Sequence, residues 1–175
     1  MPVMALCAFV ALSAHAQVSS VGSASATFDA AGPGGLNIRG KTSDLTVSEA
    51  SGKVKVQVAL GDLSTGIDLR DRHMRDNYLE VAKYPNATVE VERNKLKFPS
   101  KQASGGGEVP GAMTIHGVTK PVKVSYAARL RGDKIAVDGQ TKIDMRDFGI
   151  EVPSYLGVGV DPHVTINVTF KVVDR

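Results

Sequence analysis

Five stretches of this chain place apolar side chains at every second position, and nothing else in the sequence limits its fold so sharply. Val54, Val56, Val58 and Leu60 share one parity; so do Ala87, Val89 and Val91; Val122, Val124, Tyr126 and Ala128; Ile135, Val137, Thr141 and Ile143; and Val164, Ile166, Val168, Phe170 and Val172. The residues between them are mostly Lys, Gln, Glu, Thr, Asn or Asp, so each strand has one buried face and one wet face. Turn formers separate the runs: GPGG at 32–35, PSKQASGGG from Pro99, HGVTKP from His116, RGDK from Arg131 and VDPH from Val160. Strands do not alternate with helices, and no internal repeat of about 20 to 50 residues is visible. The pattern predicts an all-β antiparallel sandwich or barrel.

One segment breaks the rhythm. RDRHMRDNYLEVAKYP, at 70–85, is charged and helix-prone. Asp68 is placed to cap it, and Met74, Tyr78 and Val81 recur at helical spacing as a stripe able to cover an apolar surface. Asp71 with Arg75, and Arg72 with Asp76, are opposite charges four apart, expected on the solvated side. Asp76 is three residues from His73 and is expected within reach of its ring. The segment reads as a short helix covering one end of a barrel, with His73 bonded to the rim while Met74 and Tyr78 close it.

The motifs LSTGIDLRDRHMRDNYLEVAKYP, GAMTIHGVTKPVKV and DMRDFGI, in this order and with the helix between strands, resemble the YceI-like family of exported bacterial proteins. The matching residues are Leu63, Thr65, Gly66, Arg70, Asp71, His73, Met74, Lys83, Tyr84, Pro85, Gly111, Thr114, Ile115, 117–122 and 146–149. The resemblance runs from about Val54 to the C-terminus. It implies an eight-stranded antiparallel lipocalin-like barrel that holds a polyisoprenoid or similar amphiphile, in a periplasmic and non-catalytic protein. The front departs from the family: the compact, glycine-rich ASATFDAAGPGGLNIRG is expected to cost the barrel part of one wall or mouth.

Whether such a barrel is hollow turns on side-chain size. Eight strands leave room either for a packed interior or for one small ligand. The inward positions are mainly Val, Ala, Ile and Leu, and the chain has no Trp, which favours the ligand; the competing reading is a compact barrel packed with valine. Inward parity and the covering helix nominate Val56, Val58, Val89, Val91, Val124, Tyr126, Ile143, Ile166, Val168 and Phe170, with Phe148 from DMRDFGI, and Leu69, His73, Met74 and Tyr78 from the helix. Each buried isoprene unit is worth about 3 to 4 kcal/mol gross. Association costs roughly 4 to 15 kcal/mol, so chains of about four units or more bind usefully. The alternative function is an envelope stress or protein-interaction module with a filled barrel.

Other features restrict the field. Residues 1–16, MPVMALCAFVALSAHA, read as a secretory signal cut after Ala16, leaving 17–175 as one barrel domain bound for the periplasm. The single cysteine, Cys7, lies in that signal, so the mature chain would carry no disulfide, thiolate nucleophile or zinc-thiolate site. His73, His116 and His163 are widely spaced, without metal-binding motifs, and His116 and His163 are assigned surface or capping roles. No serine stands in a nucleophile motif, and DFG at 147–149 lacks the other kinase motifs. No cofactor and no catalytic residue are assigned. The formal charge of +3, without basic runs interleaved with aromatics, gives no reason to expect nucleic acid. Lys95, Lys97 and Lys101 form either a solvated hairpin end or a rim meeting anionic lipid or a pyrophosphate head. Peripheral contact with an anionic membrane, and a homodimer, are both compatible with the sequence.

Overall fold

A computed structural model describes residues 18–155 and 158–174. The expected signal at 1–16, its cut after Ala16, and Cys7 lie outside the described residues. The chain builds one antiparallel sheet from ten strand segments: β1 (Val18–Ser20), β2 (Ser25–Ala31), β3 (Asn37–Thr42), β4 (Leu45–Ala50), β5 (Lys53–Ala59), β6 (Asn86–Glu92), β7 (Gly105–Ile115), β8 (Val118–Arg131), β9 (Lys134–Asp144) and β12 (His163–Asp174). Two further short segments, β10 (Ser154–Tyr155) and β11 (Val158–Gly159), pair only with each other.

Ten segments, where eight strands are expected, result from two bends. β1 and β2 lie along the same edge of β12, with Val18 opposite Asp174 and Ala26 opposite Val168, and the chain kinks between them. β3 and β4 likewise form one bent strand: at the corner Thr42 Oγ1 accepts the Asp44 N–H at 3.1 Å. Their neighbour follows the bend, because β4 pairs with β5 while Lys41 exchanges backbone hydrogen bonds with Ser64 farther along the same chain. Counting each bent pair once leaves eight strands around a nearly closed lipocalin-like barrel. The seam between β1 and β4 is joined by the Val18 N–H, which donates to Glu49 Oε2 at 3.1 Å.

The front of the chain completes this wall. β2 and β3 pair along their full length, with Ala26, Phe28 and Ala30 turned inward, so the expected loss of wall or mouth does not occur. A close approach here needs glycine: a Cβ on Gly40 would sit 2.1 Å from Phe28 Cε1. The ring lies across the bare backbone.

The interruption is helical, as expected. Helix α1 (Asp68–His73) runs into a single π-helical turn at Met74–Tyr78. Its cap differs from expectation: Ile67 holds that position and Asp68 lies in the first turn, where its charge faces the positive end of the helix dipole. Met74, Tyr78 and Val81 pack on the barrel's end cluster, as the stripe predicts. Asp71 is not on a solvated face. It is 4% exposed, and it anchors the loop before the helix instead of pairing with Arg75, which donates to the Leu63 carbonyl at 3.1 Å.

The core is split. One apolar cluster, including Leu60, Leu63, Met113, Ile143, Ile150 and Val164, lies beneath the helix. Another, including Val47, Val54, Ala128, Ile135, Phe170 and Val172, lies at the far end, where Leu96 and Phe98 pack against it.

Candidate functional site: an apolar lumen with a cationic mouth

Between the two clusters the barrel is open, enclosing a cavity of about 840 Å³. Its wall is the inward parity of the strands. Ile135, Ile143, Val164, Phe170 and Val172, toward the ends, are buried, whereas Val56, Val58, Val89, Val124, Val137, Ile166 and Val168 face inward yet keep part of their surface accessible. A closely packed interior would have removed that surface.

Val56, Val58, Leu69, His73, Met74, Tyr78, Val89, Val91, Val124, Tyr126, Ile143, Ile166, Val168 and Phe170 all line the cavity. Phe148 does not. It is buried in the helix-end cluster, because the strand stops at Asp144 and a 3₁₀ turn (Met145–Phe148) follows. The turn puts Met145 on the wall in its place. Sequence reasoning missed Phe28, Leu36, Ile38, Leu96 and Phe98, which also line it. Leu96 and Phe98 alternate with Lys95 and Lys97, so the stretch read as a charged hairpin end is a two-sided flap with its apolar side turned into the barrel.

That flap is fastened. Arg93 lies over the Phe98 ring with its guanidinium carbon 4.6 Å from the centroid, and it donates to Glu49 at 2.5 Å and Asp174 at 2.8 Å. The Tyr126 hydroxyl accepts the Lys97 backbone N–H at 2.5 Å. Three strands and the flap are tied together at the far end.

The helix end is different. The large apolar side chains exposed on the described surface are Leu36 at 53%, Ile67 at 53% and Leu69 at 59%, and all three line the cavity. They form the lips of a mouth between the turn at 33–36 and helix α1. Beside them Arg70 Nε donates to Thr65 Oγ1 at 2.7 Å and Nη2 to the Thr65 carbonyl at 3.1 Å. Thr65 is in turn held by Asp71, whose Oδ1 accepts the Thr65 backbone N–H at 2.7 Å and also its hydroxyl, while Oδ2 accepts Ser64 Oγ–H at 2.6 Å. Burial pushes the Asp71 carboxyl up, and hydrogen bonds from Ser64, Thr65 and Gly66 outweigh it, leaving the group at about 2. It is an anionic staple for the loop. His73 lines the mouth and is exposed; among the described residues its ring makes no hydrogen bond to Asp76 or to the strand rim, contrary to expectation.

His116 is not a surface residue either. Its side chain is 14% exposed, with Nδ1 3.2 Å from the Phe148 carbonyl and Nε2 2.6 Å from Glu80 Oε2. Tyr84 meets it edge-on with centroids 4.9 Å apart. The imidazole fastens the segment after the helix to the β7–β8 turn. His163 is at the surface, its Nδ1 2.8 Å from Asp161 Oδ1. Among the described residues no three His, Cys, Asp or Glu side chains converge as a metal site.

A family model described as the YceI-like domain matches residues 10–172. A UPF0312 protein of Pseudomonas syringae pv. tomato is 30% identical over 143 residues, covering 75% of this chain and 67% of its own length. A polyisoprenoid binding domain from Saccharophagus degradans, implicated in plant cell wall breakdown, superposes with a TM-score of 0.75 at 18% identity, over 92% of this chain and 100% of that one. Burkholderia cenocepacia BcnA gives 0.68 at 15% identity, over 85% and 95%. At these identities the two structures bear on the fold.

Proposed function

The chain belongs to the YceI-like family, and on that footing we propose that it is a binding protein, not an enzyme, whose lumen holds a long apolar chain such as a polyisoprenoid or other lipid. The carrying observation is the lumen itself: about 840 Å³, lined by valine and isoleucine whose inward faces remain accessible. Such pockets span roughly 300 to 1,000 Å³, and this one is near the top of the range. An apolar cavity of about 150 Å³ takes one six-carbon benzene. By that measure this lumen takes on the order of 30 carbons, or about six isoprene units. That exceeds the roughly four units needed to outweigh the cost of association.

Transport, storage or protection of such a lipid in the periplasm accounts for a barrel with one fastened end and one lipped end. The lips suit brief contact with a membrane, from which a water-insoluble chain must be drawn. The test is to purify the protein from a bacterial periplasm without detergent and identify by mass spectrometry what organic extraction releases. A single prenyl or acyl species at one per protein is expected. An empty protein that also refuses added prenyl lipids would overturn the reading.

A further inference from the structure

Charge is unevenly distributed along the barrel axis. At the fastened end two connections carry it: the flap between β6 and β7 has Arg93, Lys95, Lys97 and Lys101, and the turn between β8 and β9 has Arg131 and Lys134, against a single acid, Asp133. At the helix end the balance reverses. The connections at 60–85 and 145–162 hold more Asp and Glu than Lys and Arg, Arg70 at the lip included.

Arg93 is engaged with Glu49 and Asp174. Lys95, Lys97, Lys101, Arg131 and Lys134 are exposed, and among the described residues none of them forms an ion pair. The flap's alternation produces part of this, because Leu96 and Phe98 pack into the barrel and leave Lys95 and Lys97 on the wet side.

The chemistry of this end narrows its partner. All of the free cations but Arg131 are lysines, point charges on flexible stems, not the planar forks that recognise one anion in a fixed geometry. The aromatic groups near them offer no stacking platform for a single-stranded nucleic acid: Phe98 lies beneath Arg93, and the Tyr126 hydroxyl is bonded to the Lys97 backbone. The large apolar side chains exposed on the described surface, Leu36, Ile67 and Leu69, are at the opposite end, so nothing of that kind is available here to insert. What this end suits is a flat array of mobile anionic groups, met by charge alone.

We propose that the fastened end is a docking surface for an anionic phospholipid bilayer, through Lys95, Lys97, Lys101, Arg131 and Lys134. Docked in this way the barrel stands on its closed end with its lips turned away. The membrane that holds the protein is then a different surface from the one its lips touch. The acids around the helix end act in the same direction, since like charge disfavours the inverted approach.

The experiment takes protein purified from a bacterial periplasm and phosphatidylcholine vesicles with and without phosphatidylglycerol, and reads binding by co-sedimentation. Binding is expected only where the anionic lipid is present. It should be lost as salt is raised from about 0.01 M to about 1 M, which shortens the screening length from about 30 Å to about 3 Å. Each of Lys95→Gln, Lys101→Gln and Lys134→Gln should weaken it roughly fivefold, whereas Arg72→Gln, exposed on helix α1, should leave it unchanged. Orientation is read with the lysines intact: with a fluorophore on Ser100→Cys or on Asn77→Cys, a quencher carried by the lipid head groups should dim the first and spare the second. No binding to the phosphatidylglycerol vesicles, equal binding to both kinds, or quenching at 77 instead of 100 would each overturn the proposal. So would polyglutamate that binds as tightly as the vesicles, which would make this end a site for acidic proteins.

Discussion

Replacing Val168 with phenylalanine distinguishes a hollow barrel from a filled one. Val168 lies opposite Gly139 on one neighbour and Ala26 on the other, both small residues of the cavity wall, so a larger side chain there has the lumen in front of it. The change adds four carbons. Taking benzene in a cavity of about 150 Å³ as the scale, that is about 100 Å³, an eighth of the 840 Å³ available. A chain that fills the lumen would lose room for about one isoprene unit, worth up to about 3 to 4 kcal/mol. At 1.4 kcal/mol per tenfold, its affinity should fall by up to about 140- to 700-fold. A prenyl alcohol of four units, which leaves space to spare, should bind as before. Calorimetric titration with prenyl alcohols of four and six units measures both. Urea unfolding supplies the second arm, because filling empty space should leave stability unchanged or raised, whereas overpacking a closed core costs roughly 1 to 3 kcal/mol. Destabilisation of that size, with the long chain bound no more weakly, would refute the hollow-barrel reasoning.

Gly40→Val should lower stability by roughly 1 to 3 kcal/mol, because its side chain occupies the place of the Phe28 ring; thermal melts of G40V with and without Phe28→Ala should show partial recovery in the double variant. Asp71→Asn should cost on the order of 2 to 4 kcal/mol, since charge-assisted hydrogen bonds from Ser64 and Thr65 weaken together. Asp71 stays ionised to about 2 when folded, against an ordinary 3.8, so the unfolded chain takes up the proton first. Its contribution is therefore complete above pH 3.8 and lost as pH falls toward 2; denaturant titrations should show the gap between wild type and Asp71→Asn closing across that window. His116→Ala should cost roughly 1 to 3 kcal/mol and speed amide exchange through 79–85, leaving β12 amides unchanged.

Strand parity was legible because a period of two leaves no choice once one face is wet. It placed the nominated residues of β5, β6, β8, β9 and β12 on the cavity wall; Phe148, nominated from DMRDFGI, lies in a tight turn, which carries no alternation. Ala26, Phe28 and Ala30, then Ile38, Gly40 and Thr42, alternate as well, but small residues and a glycine mute the signal in β2 and β3. Asp71 was misjudged because a helical wheel does not show that residues 63–66 fold back over that face. His116 looked like a surface residue because turns usually are; its φ of 53°, followed by Gly117, turns the ring inward onto Glu80. Leu36 and Ile67 carry no periodic signature, and Leu69 is nominated only through the covering helix. Their meaning comes only from lying around one opening.

An unfilled lumen has a cost. Each partly exposed valine on its wall gives up part of the roughly 25 cal/mol per Å² that burial would return. The barrel tolerates this because the two end clusters are well buried and the sheet's ladder nearly closes, so the deficit is confined to a central belt. The same deficit makes the empty protein responsive. A chain binding only the folded state adds about 2.7 kcal/mol of stability at a hundredfold excess over its dissociation constant. The direction of filling follows from the ends. At one, Leu96 and Phe98 are held down by Arg93 through Glu49 and Asp174, and opening it would strand charges that now satisfy one another. At the other, Leu36, Ile67 and Leu69 already face water. For the proposed lipid, the helix end is therefore the route of least resistance.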